Sequence, residues 1–220
     1  MNKVFLFSLV TVIGLMSMTT PVAPVTFKLD AAKSTFKWTG KKVTGSHWGY
    51  IKFTDGALTV EKGNLVGGSF NVDMTTMDVQ DIKAEQGGGK LLGHLKSDDF
   101  FGVEKFTKST LVVKKTTAKG NSQYDVVADL TIKGITKEIT FPAAVTIAGQ
   151  NITAKANFDV NRTQFDIKYG SGSFFDNLGD KAISDTFNVD INLVAVADAP
   201  VAAPAKKVAK KASKKAATPK

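Results

Sequence analysis

Apolar and polar residues alternate along most of the chain between its two ends, most clearly over Tyr124–Phe141. Tyr124, Val126, Ala128, Leu130 and Ile132 recur at every second position with mostly polar neighbours, the mark of a strand with one wetted face. Lys133–Gly134 breaks the run, and Ile135, Ile139 and Phe141 resume it as the second strand of a hairpin. A hairpin alone is marginal in water, so this apolar face calls for a sheet, a second layer or a closed barrel.

The same pattern predicts strands at Thr35–Lys42, Ser46–Thr54, Ala57–Val60, Leu65–Met74, Ser109–Thr116, Asn151–Val160, Phe165–Tyr169 and Ser184–Val194. Asp55–Gly56 reads as a turn, and Gly67–Gly68 as a bend, a bulge or space left beside the backbone. In Ser46–Thr54 the apolar weight is divided: His47, Gly49, Ile51 and Phe53 share one face, Trp48, Tyr50 and Lys52 the other. The rhythm stops over Thr75–Val103. There Asp78 or Asp81 is a candidate cap for a short helical stretch, Gly87–Gly89 interrupts it, and Leu91, Leu92 and Leu95 fall at helical spacing before Phe100–Phe101. This segment reads as a long crossover or lid carrying an apolar plug, and Gly170–Asp180, with SGSFFDNLGD, as a second lid. About nine or ten strands and little helix make an all-β domain over roughly residues 26–196, which argues against a doubly wound α/β fold.

The ends differ from this domain. Lys3 precedes the mostly apolar run Val4–Met18, and no Arg, Asp or Glu occurs before Asp30, so residues 1–23 read as a signal peptide with cleavage around Ser17–Ala23. The run is shorter than the ~20 residues a bilayer span needs, and the expected location is periplasmic or secreted. Residues 198–220 read as a disordered lysine/alanine-rich tail. Seven lysines and no acid fall in Pro200–Lys220, so of the net charge of +9 only +2 belongs to the remainder. A weak contact of this tail with anionic envelope material is expected, and no specific nucleic-acid partner. The chain has no cysteine, which excludes disulfides, thiol nucleophiles, thiolate metal sites and a lipidated cysteine.

Catalytic motifs are missing. His47 and His94 are the only histidines, and HLKSDD after the second is not a specific ligand spacing. No G-x-S-x-G elbow, dinucleotide fingerprint or phosphate loop occurs, so no catalytic, metal or cofactor residue is assigned. Fifteen phenylalanines, of which the ends contribute only Phe5 and Phe7, fit either a large solid aromatic core or a wall around an apolar guest.

Five stretches together resemble the YceI-like family: GKKVTGSHWGY at 40–50, GSFNVD at 68–73, HLKSDDFF at 94–101, DLTIKGITKEITF at 129–141 and DVNRTQFDIKY at 159–169. That resemblance implies an extended antiparallel eight-stranded lipocalin-like barrel over residues 24–197, with short helical crossover segments. It also implies that the barrel encloses a long isoprenoid or isoprenoid-quinone-like lipid without enzymatic chemistry. On it, Phe36, Trp38, Ile51, Phe53, Phe70, Phe100, Phe101, Phe158, Phe165, Phe174 and Phe175 are the candidates for apolar lining or plug. His47 and His94 would meet a polar head group, and Arg162 would orient the nearby turn through a carboxylate or carbonyl. A structural envelope module with a solid core and a lipid-handling enzyme remain alternatives, and pairing of two copies at an exposed edge stays open.

Overall fold

In the computed structural model, which describes residues 23–198, a continuous antiparallel sheet closes on itself. The signal-peptide and lysine-tail expectations lie outside the described residues, apart from Ala23 and Asp198. Nine strands follow in order: β1 Val25–Leu29, β2 Thr35–Lys42, β3 Gly45–Glu61, β4 Asn64–Asp73, β5 Lys108–Gly120, β6 Gln123–Ile132, β7 Ile135–Ala148, β8 Asn151–Asn161 and β9 Ile183–Ala197. Strands β2 to β9 form an eight-stranded barrel closed by the β2–β9 and β3–β4 pairings, while the short β1 bridges β3 and β9 at one end. This is the lipocalin-like architecture expected from the sequence, with short helical crossovers.

The β6–β7 hairpin follows its pattern residue by residue. Tyr124, Val126, Ala128, Leu130 and Ile132 are all buried, and Lys133 and Gly134 both take positive φ, as a two-residue hairpin with the right-handed strand twist requires.

Three sequence expectations change. Asp55–Gly56 is not a turn: β3 runs through it with a bulge, and the two short strands expected there are one. Asp55 is held by Asn71 Nδ2 at 2.6 Å, and a Cβ on Gly56 would come within 2.5 Å of the Phe70 ring, so these residues let Phe70 lie over the backbone. Asp78 and Asp81 cap no helix. Their carboxylates accept from the N–H groups of Tyr50 (2.6 Å) and Trp48 (2.9 Å), and the Asp78 and Gln80 N–H groups donate to the Tyr50 and Trp48 carbonyls, so residues 78–81 run as a strap along β3. A Cβ on Gly49 would meet the Asp78 carbonyl at 2.0 Å, so only glycine permits this approach. Finally, the strand expected at Phe165–Tyr169 is absent; Arg162–Phe165 form a 3-10 turn that Asn161 caps through the Thr163 N–H.

The glycine run interrupts the helical stretch as expected: Gly87 ends the 3-10 turn Ala84–Gln86. Gly87, in the left-handed region, precedes helix α1 (Gly88–Lys96), and a Cβ on Gly88 would strike the Ile82 carbonyl at 2.3 Å. With residues 97–107 the helix covers the barrel end opposite β1.

Candidate functional site: an apolar cavity along the barrel

Alternation sends one face of each barrel strand inward, yet the inward side chains do not meet everywhere. They leave a cavity with an empty volume of about 1420 Å³, its open mouth included. The cavity follows β9 from Ile183 to Leu193, ~33 Å of strand, so it is longer than it is wide. That is an elongated passage. It suits a thin chain better than a compact molecule.

Its wall is hydrocarbon over most of its length. Phe187, Val189, Ile191 and Leu193 line it from β9, Phe141, Ala143 and Val145 from β7, and Met74, Met77 and Leu95 from the crossover. Three basic residues, Lys41, Lys155 and Arg162, border it, and no Asp or Glu does. Gly40, Lys41, Arg162, Ser184 and Thr186 gather where β2 and β9 lose register, between Gly40 and Lys42, and give that mouth a polar rim.

Of the sequence candidates, Phe36, Trp38, Ile51, Phe53, Phe70, Phe100, Phe101 and Phe158 lie on the cavity wall. Phe36, Phe53 and Phe70 form an edge-to-face row with centroid separations of 6.0 and 6.4 Å. Trp38 is anchored by its indole N–H, which donates to the Asp78 carbonyl at 3.2 Å.

The other candidates sit elsewhere. Phe165 is fully buried beside Ile167 in the 3-10 turn region that packs against β7 and β9, thickening the wall without reaching the cavity. Phe174 and Phe175 are half exposed on the outer loop. His47 lies at the rim of the strap, with Nδ1 2.7 Å from Asp81 Oδ2. His94 points into an aromatic cluster, 5.0 Å from the Phe100 ring and 4.4 Å from Tyr169. Neither histidine touches the cavity.

Arg162 meets carbonyls, as one of the two sequence alternatives had it. Nε donates to Ser184 O (2.8 Å), Nη1 to Ile167 O (2.8 Å) and Nη2 to Ile183 O (3.1 Å), while Asp185 Oδ1 stands 3.7 Å away. Burial pulls the Arg162 pKa down and Asp185 opposes it, yet a guanidinium stays charged. It clamps the 162–167 turn to the start of β9 and lies 5.7 Å from the Phe100 ring.

The wall is parted on one side. Strands β7 and β8 pair only from Ala143↔Ala156 to Ala148↔Asn151. Pro142, which has no N–H to give, stands immediately before Ala143, the first residue of β7 paired with β8. Beyond it the strands separate, and Phe141 and Phe158 stack across the parting at 4.2 Å and 18°.

Sequence reasoning misses Met77, which lies in a crossover without strand period, and leaves Met74, at the end of an expected strand, and Leu95, in the apolar plug, unassigned to a lumen. It had placed Phe141 and Phe187 on apolar faces without assigning them to a lumen. Among the described residues no group of three or more His, Cys, Asp or Glu side chains could hold a metal ion.

Comparison with known proteins agrees with the architecture. Among solved structures, Burkholderia cenocepacia BcnA superposes with a TM-score of 0.63 at 22% identity, covering 76% of this chain and 99% of that one. A polyisoprenoid binding domain from Saccharophagus degradans, implicated in plant cell wall breakdown, gives 0.55 at 16% identity over 78% of this chain and 98% of that one. A UPF0312 protein of Pseudomonas putida is 28% identical over 163 residues, 69% of this chain and 77% of its own. One from Vibrio vulnificus is 31% identical over 112 residues, 48% of this chain, and the match spans only 57% of that relative's length. The YceI-like domain model matches residues 27–195, nearly the whole barrel, and the chain therefore belongs to the YceI-like family.

Proposed function

We propose that the protein binds a long apolar lipid of isoprenoid type inside the barrel and sequesters or carries it outside the cytoplasm, without chemistry on it. The observation that carries this reading is the elongated, hydrocarbon-walled, carboxylate-free cavity running ~33 Å along β9. Each methylene moved from water into such a wall is worth about 0.8 kcal/mol, so a chain filling the passage is held without any specific polar contact. The aromatic row Phe36, Phe53 and Phe70 and the stack of Phe141 on Phe158 would flank the chain. The polar rim at Lys41, Ser184 and Thr186 would face a head group. The solved polyisoprenoid binding domain with the same fold supports the ligand class.

Lipid extraction and mass spectrometry of natively purified protein test the reading. A co-purified isoprenoid lipid, or saturable uptake of an added isoprenoid quinone, is expected. Absence of both would leave the barrel a structural module with unused internal space.

A further inference from the structure

The mouth with the polar rim also carries the three most exposed large apolar side chains among the described residues, Val43, Phe175 and Phe174. Among the described residues eight large hydrophobics are exposed, and four of them belong to loops at this end: Val43 (65%), Phe175 (51%), Phe174 (50%) and Tyr169 (48%). The remainder are scattered over the outer strand faces, where single apolar residues are ordinary.

Three of these four are tethered to the mouth. The Val43 N–H donates to Ala182 O at 3.3 Å, the Phe174 and Phe175 N–H groups donate to Ser171 O at 3.1 and 3.0 Å, and Ser173 Oγ donates to Asp185 Oδ2 at 2.5 Å. Ile183 and Ser184, between those anchor points, line the cavity. The exposed phenylalanines are thus fixed beside the opening.

Charge does not explain the patch. Lys41, Lys42, Lys168 and Lys181 share this end with Asp166, Asp176 and Asp180, and Lys168 lies 2.8 Å from Asp166 while its ammonium sits 5.2 Å from the Phe174 ring. What distinguishes the surface is apolar area that continues the apolar lumen outward.

We propose that the rim of Val43, Tyr169, Phe174 and Phe175 seats the barrel on a lipid bilayer, so that a lipid chain passes between bilayer and cavity without crossing water. This rests on the lipid-binding reading above. A bilayer is the partner that fits, because the exposed phenylalanines continue the apolar lumen outward and Lys168 holds its ammonium 5.2 Å from the Phe174 ring, the pairing of apolar body and charged tip that a headgroup boundary accepts. Aromatic side chains settle at the headgroup boundary, and a lysine beside them keeps its ammonium in water while its stem lies along the ring.

Uptake of an isoprenoid quinone by the full-length protein tests this with two donors, neutral phosphatidylcholine vesicles and detergent-solubilised quinone. Neutral vesicles remove the electrostatic pull on the lysine-rich C-terminal segment. The double variant Phe174→Ser/Phe175→Ser, at exposed positions, is expected to extract from vesicles about tenfold more slowly and from detergent at the wild-type rate. Val43→Ser should show a smaller effect of the same kind. Equal extraction from vesicles by wild type and double variant would overturn the docking surface while leaving the carrier intact, as would equal losses from both donors. No uptake by wild type from either donor would instead remove the carrier reading itself.

Discussion

At the end closed by β1, Phe27, Val60, Ile152 and Ala195 are buried against one another's strands, and none of them borders the cavity. Under the crossover the same barrel keeps Phe36, Phe53 and Phe158 on a passage, and Arg162 with three carbonyls pins the turn beside its mouth. One end is a packed core and the rest is a wall. The difference shows that inward-facing side chains need not reach each other: a fully packed residue has partners on every side, whereas a lining residue forfeits those on one side.

Truncation should separate the two regions most strongly. Phe27→Ala is expected to cost ~4 kcal/mol, while Phe53→Ala in lipid-free protein should cost roughly half as much, because part of its surroundings is already vacant. Denaturant midpoints of both variants check this, and equal losses would show that the lumen is packed in solution. Arg162→Met comes next. It strands the carbonyls of Ser184, Ile167 and Ile183 and leaves Asp185 without its cation, for an expected loss of ~3 kcal/mol confined to the mouth. Hydrogen exchange should rise at residues 162–185 and stay unchanged in β1.

Overpacking the passage should cost less in stability and more in binding. Ala154 lines the cavity from β8, and Ala154→Phe puts a ring into the lumen at an expected ~1–2 kcal/mol of stability. Quinone uptake should fall at least tenfold. The smallest effect concerns the strap. Hydroxyl and backbone N–H groups of Thr75 hold the Asp73 carboxyl below the ordinary carboxylate range. Burial works against the charge of Asp81, but the Trp48 N–H and the His47 ring outweigh it and lower its pKa as well. A depressed folded-state pKa adds stability that is present above the unfolded carboxylate value and lost as pH falls through the folded one. Below about pH 4, hydrogen exchange should therefore quicken in residues 74–86 before it does in β6.

Much of the wall was legible in the sequence. Strands with one wetted face record it by alternation, as in β6 and in β9, where Phe187, Val189, Ile191 and Leu193 all face the cavity. Alternation gives the direction of a side chain and not the distance to the opposite wall, so hollow and solid barrels read alike. Local signals also yield to tertiary context. Asp55–Gly56 carries turn residues yet serves a bulge under Phe70, and Asp78 and Asp81, well suited to cap a helix, instead satisfy the free edge of β3. Phe165, Phe174 and Phe175 could not be located by period because they lie in a 3-10 turn and a loop.

The central claim is best tested by titrating lipid-free protein with an isoprenoid quinone while following the emission of Trp38 on the cavity wall, with Trp48→Phe silencing the outer indole. Saturation at one quinone per chain, abolished by Ala154→Phe, is the expected result. A signal that never saturates, or one that survives the added ring unchanged, would contradict an occupied lumen.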